Sequence, residues 1–310
     1  MRIAAMTHVG TVRTHNEDCI GATDWIRSAP MISPIVIDCF LDEVRICVIA
    51  DGLGGHAGGE VASLLTVQEI LSSASGYTGP ESVCTVLHKI NKRLYDIMEA
   101  TQQLTGMGAT VVGIVVAGKN ICLFNIGDSR AYVSIGGYLR LLSVDDSTGV
   151  TADTSTRTGL HNHGITQCLG GLARYSTIYP HCVNRFTVSG ERYLLCSDGL
   201  TDMLDLDDIE GCLTVDPKVS VDQLVKSALA AGGLDNISVL IVDINSPATE
   251  EEPKNHFEEF DPNERILCSD ESCISTNTKN AGINSLTPAG IFWCSRSENP
   301  WGHRRFGPLK

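Results

Sequence analysis

Ala109 to Leu142, ATVVGIVVAGKNICLFNIGDSRAYVSIGGYLRLL, is the stretch whose reading decides the fold class. It holds apolar, β-branched runs at Ala109 to Ala117, Ile121 to Ile126, Ala131 to Ile135 and Tyr138 to Leu142. Gly118-Lys119-Asn120, Gly127-Asp128-Ser129-Arg130 and Gly136-Gly137 separate them. Such runs bounded by Gly, Asn and Asp read as strands. Links this short predict antiparallel neighbours, because a parallel crossover needs about a dozen residues or more. A doubly wound parallel sheet of the Rossmann type is therefore excluded.

Helices are predicted on either side. Val83, Val86, Leu87, Ile90, Leu94, Ile97 and Met98 recur at helical spacing, one apolar stripe over roughly Pro80 to Gln102. A shorter helix is expected after Gly58-Gly59, with Val61, Leu64 and Leu65 facing inward. Val221, Leu224, Val225, Ala228 and Leu229 make a third, closed by Gly232-Gly233. Helices, an antiparallel meander, then more strands and a helix give an α+β fold.

Acidic residues stand at the mouths of the apolar runs. Ile46 to Ala50 leads into Asp51-Gly52, Ile121 to Gly127 into Asp128, and Tyr193 to Ser197 into Asp198-Gly199. Asp235-Asn236 opens Ile237 to Val242, and Asn16-Glu17-Asp18 adds a further pair of acids. One Asp-Gly after a strand is most simply a turn, since Gly accepts positive φ and Asp bonds nearby amides. The set resists that account, because repeated repulsion between half-buried acids is costly without a counter-ion. Oxygen ligands select magnesium or manganese over zinc or copper. A multi-metal carboxylate site is expected.

The formal net charge of -14, from 23 basic and 37 acidic residues, argues against nucleic acid as a partner. Twelve cysteines include no CxxC pair, and Cys47, Cys122 and Cys196 lie inside apolar runs. They read as reduced core thiols of a cytosolic protein. The N-terminus, Met1 to His8, is too short and interrupted for a signal peptide, and no apolar stretch approaches bilayer-spanning length. A soluble, cytoplasmic monomer with no membrane contact is the expectation.

Asp145 to Gly164, rich in Thr, Ser and Asp and with His161 and His163 near its end, is expected to be an exposed, mobile border of the site. Composition shifts at Ser246, and Thr249-Glu250-Glu251-Glu252-Pro253 reads as a linker. Residues 1–245 are expected to form the catalytic domain, and residues 246–310 an extension, linker-like and then irregular or disordered. Trp293 and Trp301 in it are large apolar groups that fit a tail docking a partner, and an inert tail fits equally well; Cys268, Cys273, Cys294 and His303 match no standard zinc spacing.

Arg13, three residues ahead of Asn16-Glu17-Asp18, supplies the hint of phosphate, since a guanidinium meets phosphate oxygens bidentately. Two divalent ions about 3.5–4 Å apart acidify a shared water and stabilise charge in an in-line displacement. Metals, arginine and water together describe a phosphate hydrolase. A nucleotide-binding reading of Gly52-Leu53-Gly54-Gly55 fails, because no Gly-Lys-Ser/Thr follows. Those glycines fit a close backbone approach to the ions instead.

At this point the chain resembles the metal-dependent type 2C protein serine/threonine phosphatases, in their bacterial form. The strings that carry the resemblance are Arg13-Thr14-His15-Asn16-Glu17-Asp18, Ala50-Asp51-Gly52-Leu53-Gly54-Gly55-His56 and Gly106-Met107-Gly108-Ala109-Thr110. Asn125-Ile126-Gly127-Asp128-Ser129-Arg130, Cys196-Ser197-Asp198-Gly199-Leu200-Thr201-Asp202 and Gly233-Leu234-Asp235-Asn236-Ile237-Ser238 follow in order, covering about Met6 to Ile244. The resemblance implies a four-layer α-β-β-α sandwich, two antiparallel β-sheets flanked by helices, with the metals in a cleft at one edge. It implies two core ions, Mn2+ or Mg2+, bridged by Asp51, with Gly52 offering its carbonyl and Asp198 and Asp235 completing the pair. Glu17 and Asp18 would act directly or through waters, and Asp128 and Asp202, with Asp198, would hold a third, weaker ion. Arg13 would grip the substrate phosphate, so Arg13, Asp51 and Asp198 are the implied catalytic residues.

The implied activity is hydrolysis of phosphoserine and phosphothreonine in proteins by direct attack of a metal-bridging hydroxide, with no covalent intermediate. Implied partners are phosphorylated proteins, a cognate serine/threonine kinase among them. The alternative is a pseudophosphatase that binds phosphoproteins as a regulator. A missing metal aspartate would signal it, and none is missing. Leu53 stands where animal members often carry a histidine and bacterial ones a methionine. It transfers no proton, so a bound water or another group must. His56 is near in sequence and reads equally well as a local structural histidine. Asp146 stands where the family commonly has histidine in an Asp-His-Ser string, a departure that bears on the following flap and not on the metal core.

Overall fold

The computed structural model describes residues 1–54, 57–148 and 164–244, together with the backbone of Ile266–Leu267. All of these fall in one compact unit, Met1–Cys273. A six-stranded sheet runs in the order Tyr138–Leu141, Arg130–Ile135, Arg192–Cys196, Ile237–Asp243, Arg2–His8, Ile35–Asp38. A seven-stranded sheet runs Ile266–Leu267, His181–Phe186, Asn120–Ile126, Val111–Ala117, Arg45–Ala50, Cys19–Ala22, Trp25–Arg27. The ladders of both are antiparallel.

The apolar runs lack alternation because both faces of each sheet are covered. In Arg2–His8, Ile3 and Ala5 enter the core between the sheets, while Ala4 and Met6 meet helices. In Arg45–Ala50, Cys47 and Ile49 face the other sheet, while Ile46, Val48 and Ala50 meet helices. Successive side chains point to opposite faces, so each strand feeds two cores. Helices α1 (Ala57–Ser72) and α2 (Pro80–Ala100) pack on the seven-stranded sheet. Helices α3 (Asp198–Thr201), α4 (Leu206–Gly211) and α5 (Pro217–Ala230) pack on the six-stranded one. The architecture is the expected α-β-β-α sandwich.

The long stripe lies where spacing puts it. Val83, Leu87, Ile90, Leu94 and Met98 are buried, with Pro80 in the first turn, where a missing N–H costs nothing. The helix ends at Ala100 rather than Gln102, because Gln102–Leu104 tightens into a 3-10 turn. Helix α1 starts at Ala57, so Gly58 and Gly59 lie in its first turn rather than before it. Its deepest residues are Ala62, Val67 and Ile70, while Val61, Leu64 and Leu65 are only half-buried at the flanks. In α5, Val221, Leu224, Val225 and Ala228 are buried, and the Gly233 N–H donates to Ala228 O at 3.0 Å beyond its end.

One expectation about the opening stretch is corrected. Val111–Ala117 and Asn120–Ile126 form a hairpin, as do Arg130–Ile135 and Tyr138–Leu141. Asn120–Ile126 and Arg130–Ile135 do not pair; the link Gly127-Asp128-Ser129 carries the chain from one sheet into the other. Gly127, at φ 100°, supplies a turn that a side chain resists, and a Cβ there would press on Thr110. A short link thus makes a corner of the sandwich rather than a meander.

Asp145 and Asp146 are half-buried rather than exposed, and Ser147–Thr148 pairs with Gly164–Ile165. Residues 149–163, with His161 and His163, lie outside the described residues. The expected boundary at 245 falls where description stops; beyond it Ile266–Leu267 adds an edge strand against His181–Phe186. Cys268, Cys273, Cys294, His303, Trp293 and Trp301 lie outside the described residues. Every described cysteine is free of disulfide, and no described helix is long and apolar enough to cross a membrane.

Candidate metal centre and phosphate site

Register gathers the acids at one end of the sandwich. Asp18 and Asp51 flank adjacent strands of the seven-stranded sheet, where Cys19 pairs with Ala50. Asp198 follows Cys196 and Asp235 precedes Ile237, on adjacent strands of the six-stranded sheet with Cys196 opposite Val239. Asp128 sits on the corner joining the two sheets. The candidate ligands therefore come from both sheets and from the link between them.

Their electrostatics are those of an anionic pocket. Burial, then Asp18, Asp198 and Asp235, pushes the Asp51 carboxyl well above the usual range. Burial, then Asp128, Asp202 and Asp235, does the same to Asp198. Asp51 and Asp198 lie within reach of each other, and keeping both charged without a counter-ion is unfavourable. Asp18 is pushed up to about 6 by burial, against hydrogen bonds from Ser238 and Ser197. Asp128 is also pushed up to about 6, by burial and then by Asp145 and Asp202, against its own backbone N–H. Glu17 is raised by burial, which the nearby Arg13 opposes.

Asp18 Oδ1, Asp128 Oδ1 and Asp198 Oδ1 are buried with no hydrogen-bond partner. An unpaired buried carboxylate oxygen is expensive, and a hard divalent cation satisfies such oxygens while removing the repulsion. Among the described residues, no group of three or more His, Cys, Asp or Glu side chains is arranged to hold an ion unaided. Bound ions would thus draw on water and on backbone oxygen such as Gly52 O as well. With that completion the donor set fits magnesium or manganese.

Several supporting residues escaped the sequence reading. Asn236 Oδ1 accepts from Glu17 N at 2.7 Å, and its Nδ2 donates to Val9 O at 3.0 Å and His15 O at 2.9 Å. One side chain thereby ties the loop carrying Arg13 and Glu17 to the strand behind Asp235. Beneath the acids, Ser197 Oγ donates to Asp18 Oδ2 at 2.9 Å and accepts from Ser238 N at 3.0 Å. Ser238 Oγ meets Thr7 Oγ1 at 2.8 Å, and Thr7 Oγ1 accepts from Asn16 Nδ2 at 2.9 Å. A Cβ on Gly52 would stand 2.5 Å from the carbonyl carbon of Gly59 and 2.7 Å from Glu17 O. Only glycine lets the start of α1 lie against this strand.

Arg13 is exposed, and its Nη2 lies 2.6 Å from Asp235 Oδ2, a bond that raises its already high pKa. The predicted phosphate-binding residue thus reaches the predicted ligands and pairs with one of them. Asp202 lies exposed on the rim, one turn beyond Asp198. Leu53 is half-buried in Gly52–Leu53, which pairs with Gly108–Ala109; His56 lies outside the described residues. Asp146 takes a full set of bonds, from His181 Nε2, Gly127 N and Gln167 Nε2, each at 2.9 Å. Burial raises its pKa, but these bonds outweigh burial and hold the carboxyl below the usual range.

With this geometry in hand, similarity to known proteins is specific. A sequence profile of protein phosphatase 2C matches residues 37–220. The serine/threonine protein phosphatase PstP of Mycobacterium tuberculosis is 31% identical over 252 residues, 79% of this chain and 45% of that protein. The chain thus spans about half the length of that relative. The serine/threonine phosphatase stp of Listeria welshimeri is 30% identical over 259 residues, 77% of this chain and 94% of that protein. A crystal structure of the catalytic domain of PstP in complex with two manganese ions superposes with a TM-score of 0.63 at 27% identity, covering 79% of this chain and all of that one.

Proposed function

Because the chain belongs to the protein phosphatase 2C family, a family of metal-dependent phosphatases, we propose that it hydrolyses phosphoserine and phosphothreonine in proteins. The observation that carries this reading is the unpaired oxygen on each of Asp18, Asp128 and Asp198, in a pocket where burial and neighbouring acids hold Asp51 and Asp198 well above the usual carboxylate range. A pocket so built is costly as a structural feature and useful as a cation site. Asp51, Asp198, Asp235 and the Gly52 carbonyl would hold a core pair of ions, with Glu17 and Asp18 contributing directly or through water. Asp128 and Asp202, with Asp198, would hold a third. Two such ions would supply a water acidic enough to ionise near neutral pH and would neutralise charge on the phosphoryl group.

The chain's own residues do the rest. Arg13 presents an always-charged planar fork at the rim, where a phosphate dianion competes with Asp235 for it. Asn236 fixes the backbone from which Arg13 and Glu17 project. Ser197 holds one Asp18 oxygen and leaves the other free for a cation or its water. Leu53 offers no proton to the departing alkoxide, so that proton comes from solvent or a side chain of the substrate complex. The exposed Arg13 suits a substrate held by its phosphate, with flanking peptide on the surface. Phosphoproteins are the partners, a cognate cytoplasmic serine/threonine kinase among them.

The test is release of phosphate from a phosphothreonine peptide with manganese, with magnesium and with a chelator, beside the Asp198→Asn variant. Metal-dependent release that disappears in the variant supports the enzyme. A folded protein that binds manganese yet releases nothing would overturn it in favour of a phosphoprotein-binding pseudophosphatase.

A further inference from the structure

Asp146 makes more bonds than a carboxylate at a loop entrance needs, and two of them reach the corner that carries Asp128. Its Oδ2 accepts from Gly127 N at 2.9 Å, and its own N–H donates to Gly127 O at 2.9 Å. Gly127 leaves one sheet for the other, and Asp146 takes both of its peptide groups, with a longer bond of 3.4 Å from Asn125 Nδ2 to the same carbonyl. On the far side of the corner, Ser129 Oγ meets Thr110 Oγ1 at 2.8 Å, and Thr110 N donates to Asp51 O at 2.9 Å. The Asp128 backbone is therefore clamped between Asp146 and the element that presents Asp51.

Asp146 is itself anchored. His181, directly opposite Asn125 in the seven-stranded sheet, brings Nε2 to 2.9 Å from Asp146 Oδ1. Gln167 donates to Asp146 Oδ2 at 2.9 Å and also accepts from Tyr179 N at 2.5 Å. Thr166 N donates to Asp146 O at 2.7 Å. The adjacent acid, Asp145, is paired with Arg130 at 2.6 Å. The acid at position 146 thus has a histidine brought to it by the strand His181–Phe186.

We propose that Asp146, anchored by His181, is a positioning residue for Asp128 and through it sets the affinity of the outlying ion. This rests on the phosphatase reading above. A residue supporting a metal ligand typically changes metal affinity by about 10–100-fold when replaced. Asp146→Asn keeps the size of the side chain but turns one of its two oxygens into a donor, so that it can no longer accept from His181 on one side and from both Gly127 and Gln167 on the other.

The experiment is a double-mutant cycle of Asp146→Asn and Asp128→Asn on the full chain, read by manganese calorimetry and by kcat and KM on a phosphothreonine peptide. Asp146→Asn is expected to weaken the weakest manganese site about tenfold and leave the tight pair unchanged. It should lower kcat about tenfold while KM stays within about twofold. On the Asp128→Asn background it should add nothing. Equal losses on both backgrounds, or an unchanged weak site, would overturn the positioning role. If Asp146→Asn does not fold, His181→Ala removes a single anchor and should weaken the same site about tenfold, the lower end of that range; no change would overturn the role. A wild-type protein that neither binds manganese nor releases phosphate sinks the phosphatase reading and this role with it. A wild-type protein that does both, beside an Asp146→Asn variant with an unchanged weak site, sinks the positioning role alone.

Discussion

Asp128→Asn in protein stripped of divalent metal should raise stability at about pH 8 and leave it nearly unchanged at about pH 4, because one carboxyl is ionised against its surroundings only at the higher pH. The Asp128 carboxyl is held at about 6, against an ordinary 3.8. Between those values the folded state binds more protons than the unfolded state, so stability falls as pH rises. The loss is complete above the folded value. About two units at 1.36 kcal/mol each sets a ceiling of about 3 kcal/mol on the penalty. Partial exposure and the unpaired amide of the asparagine reduce the recoverable part to about 1–2 kcal/mol. Relief of Asp198, which Asp128 repels, adds to it.

Urea denaturation of wild type and variant in chelator, at the two pH values, measures the difference directly. Several other acids titrate over the same range, but they are common to both proteins. Adding manganese should reverse the order, since only wild type keeps the full ligand set and gains the corresponding binding free energy. A variant no more stable than wild type at the higher pH, or an advantage equal at both pH values, would refute the account of Asp128 as a buried charge awaiting a cation.

Gly52→Ala forces a Cβ to 2.5 Å from the Gly59 carbonyl carbon, and should cost about 2–4 kcal/mol and the manganese-induced rise in Tm; a wild-type melt with that rise intact would contradict it. Asn236→Ala removes bonds to Glu17 N, Val9 O and His15 O, which should destabilise by about 2–3 kcal/mol in denaturant. Arg13→Lys keeps the charge but loses the fork, and should raise KM about tenfold with a smaller change in kcat. An unchanged KM would remove Arg13 from phosphate binding.

The sequence shows most of the fold where the rule is local. The α2 stripe and the two hairpins follow from spacing and link length alone. Which sheet a strand joins is another matter. Strands covered on both faces lose the alternation that marks a solvent side, so Asn120–Ile126 and Arg130–Ile135 look like sequential neighbours although they lie in different sheets. The acids are legible because each interrupts an apolar run. Their supports are not. Thr7, Ser197 and Ser238 are small polar residues that read as turn or strand chemistry, and only folding brings them under Asp18. Asp146 and His181 are far apart in sequence, and Asn236 in its Asp-Asn pair hides as a turn residue beside a conspicuous acid.

The pairing of Arg2–His8 with Ile237–Asp243, in which Thr7 faces Ser238, has a consequence for how the protein comes into being. During synthesis the N-terminal strand, Asp18 and Asp51 leave the ribosome long before Asp198 and Asp235 exist. The early acids then have only half of their site, and the first strand, which pairs early with Ile35–Asp38 on one edge, waits for nearly the whole domain to fill the other. On the proposed reading, a complete ion site would form only with the last strand in place. A chain cut short before Ile237 lacks the partner of its first strand, and one cut before Asp235 lacks that acid of the proposed ion site as well.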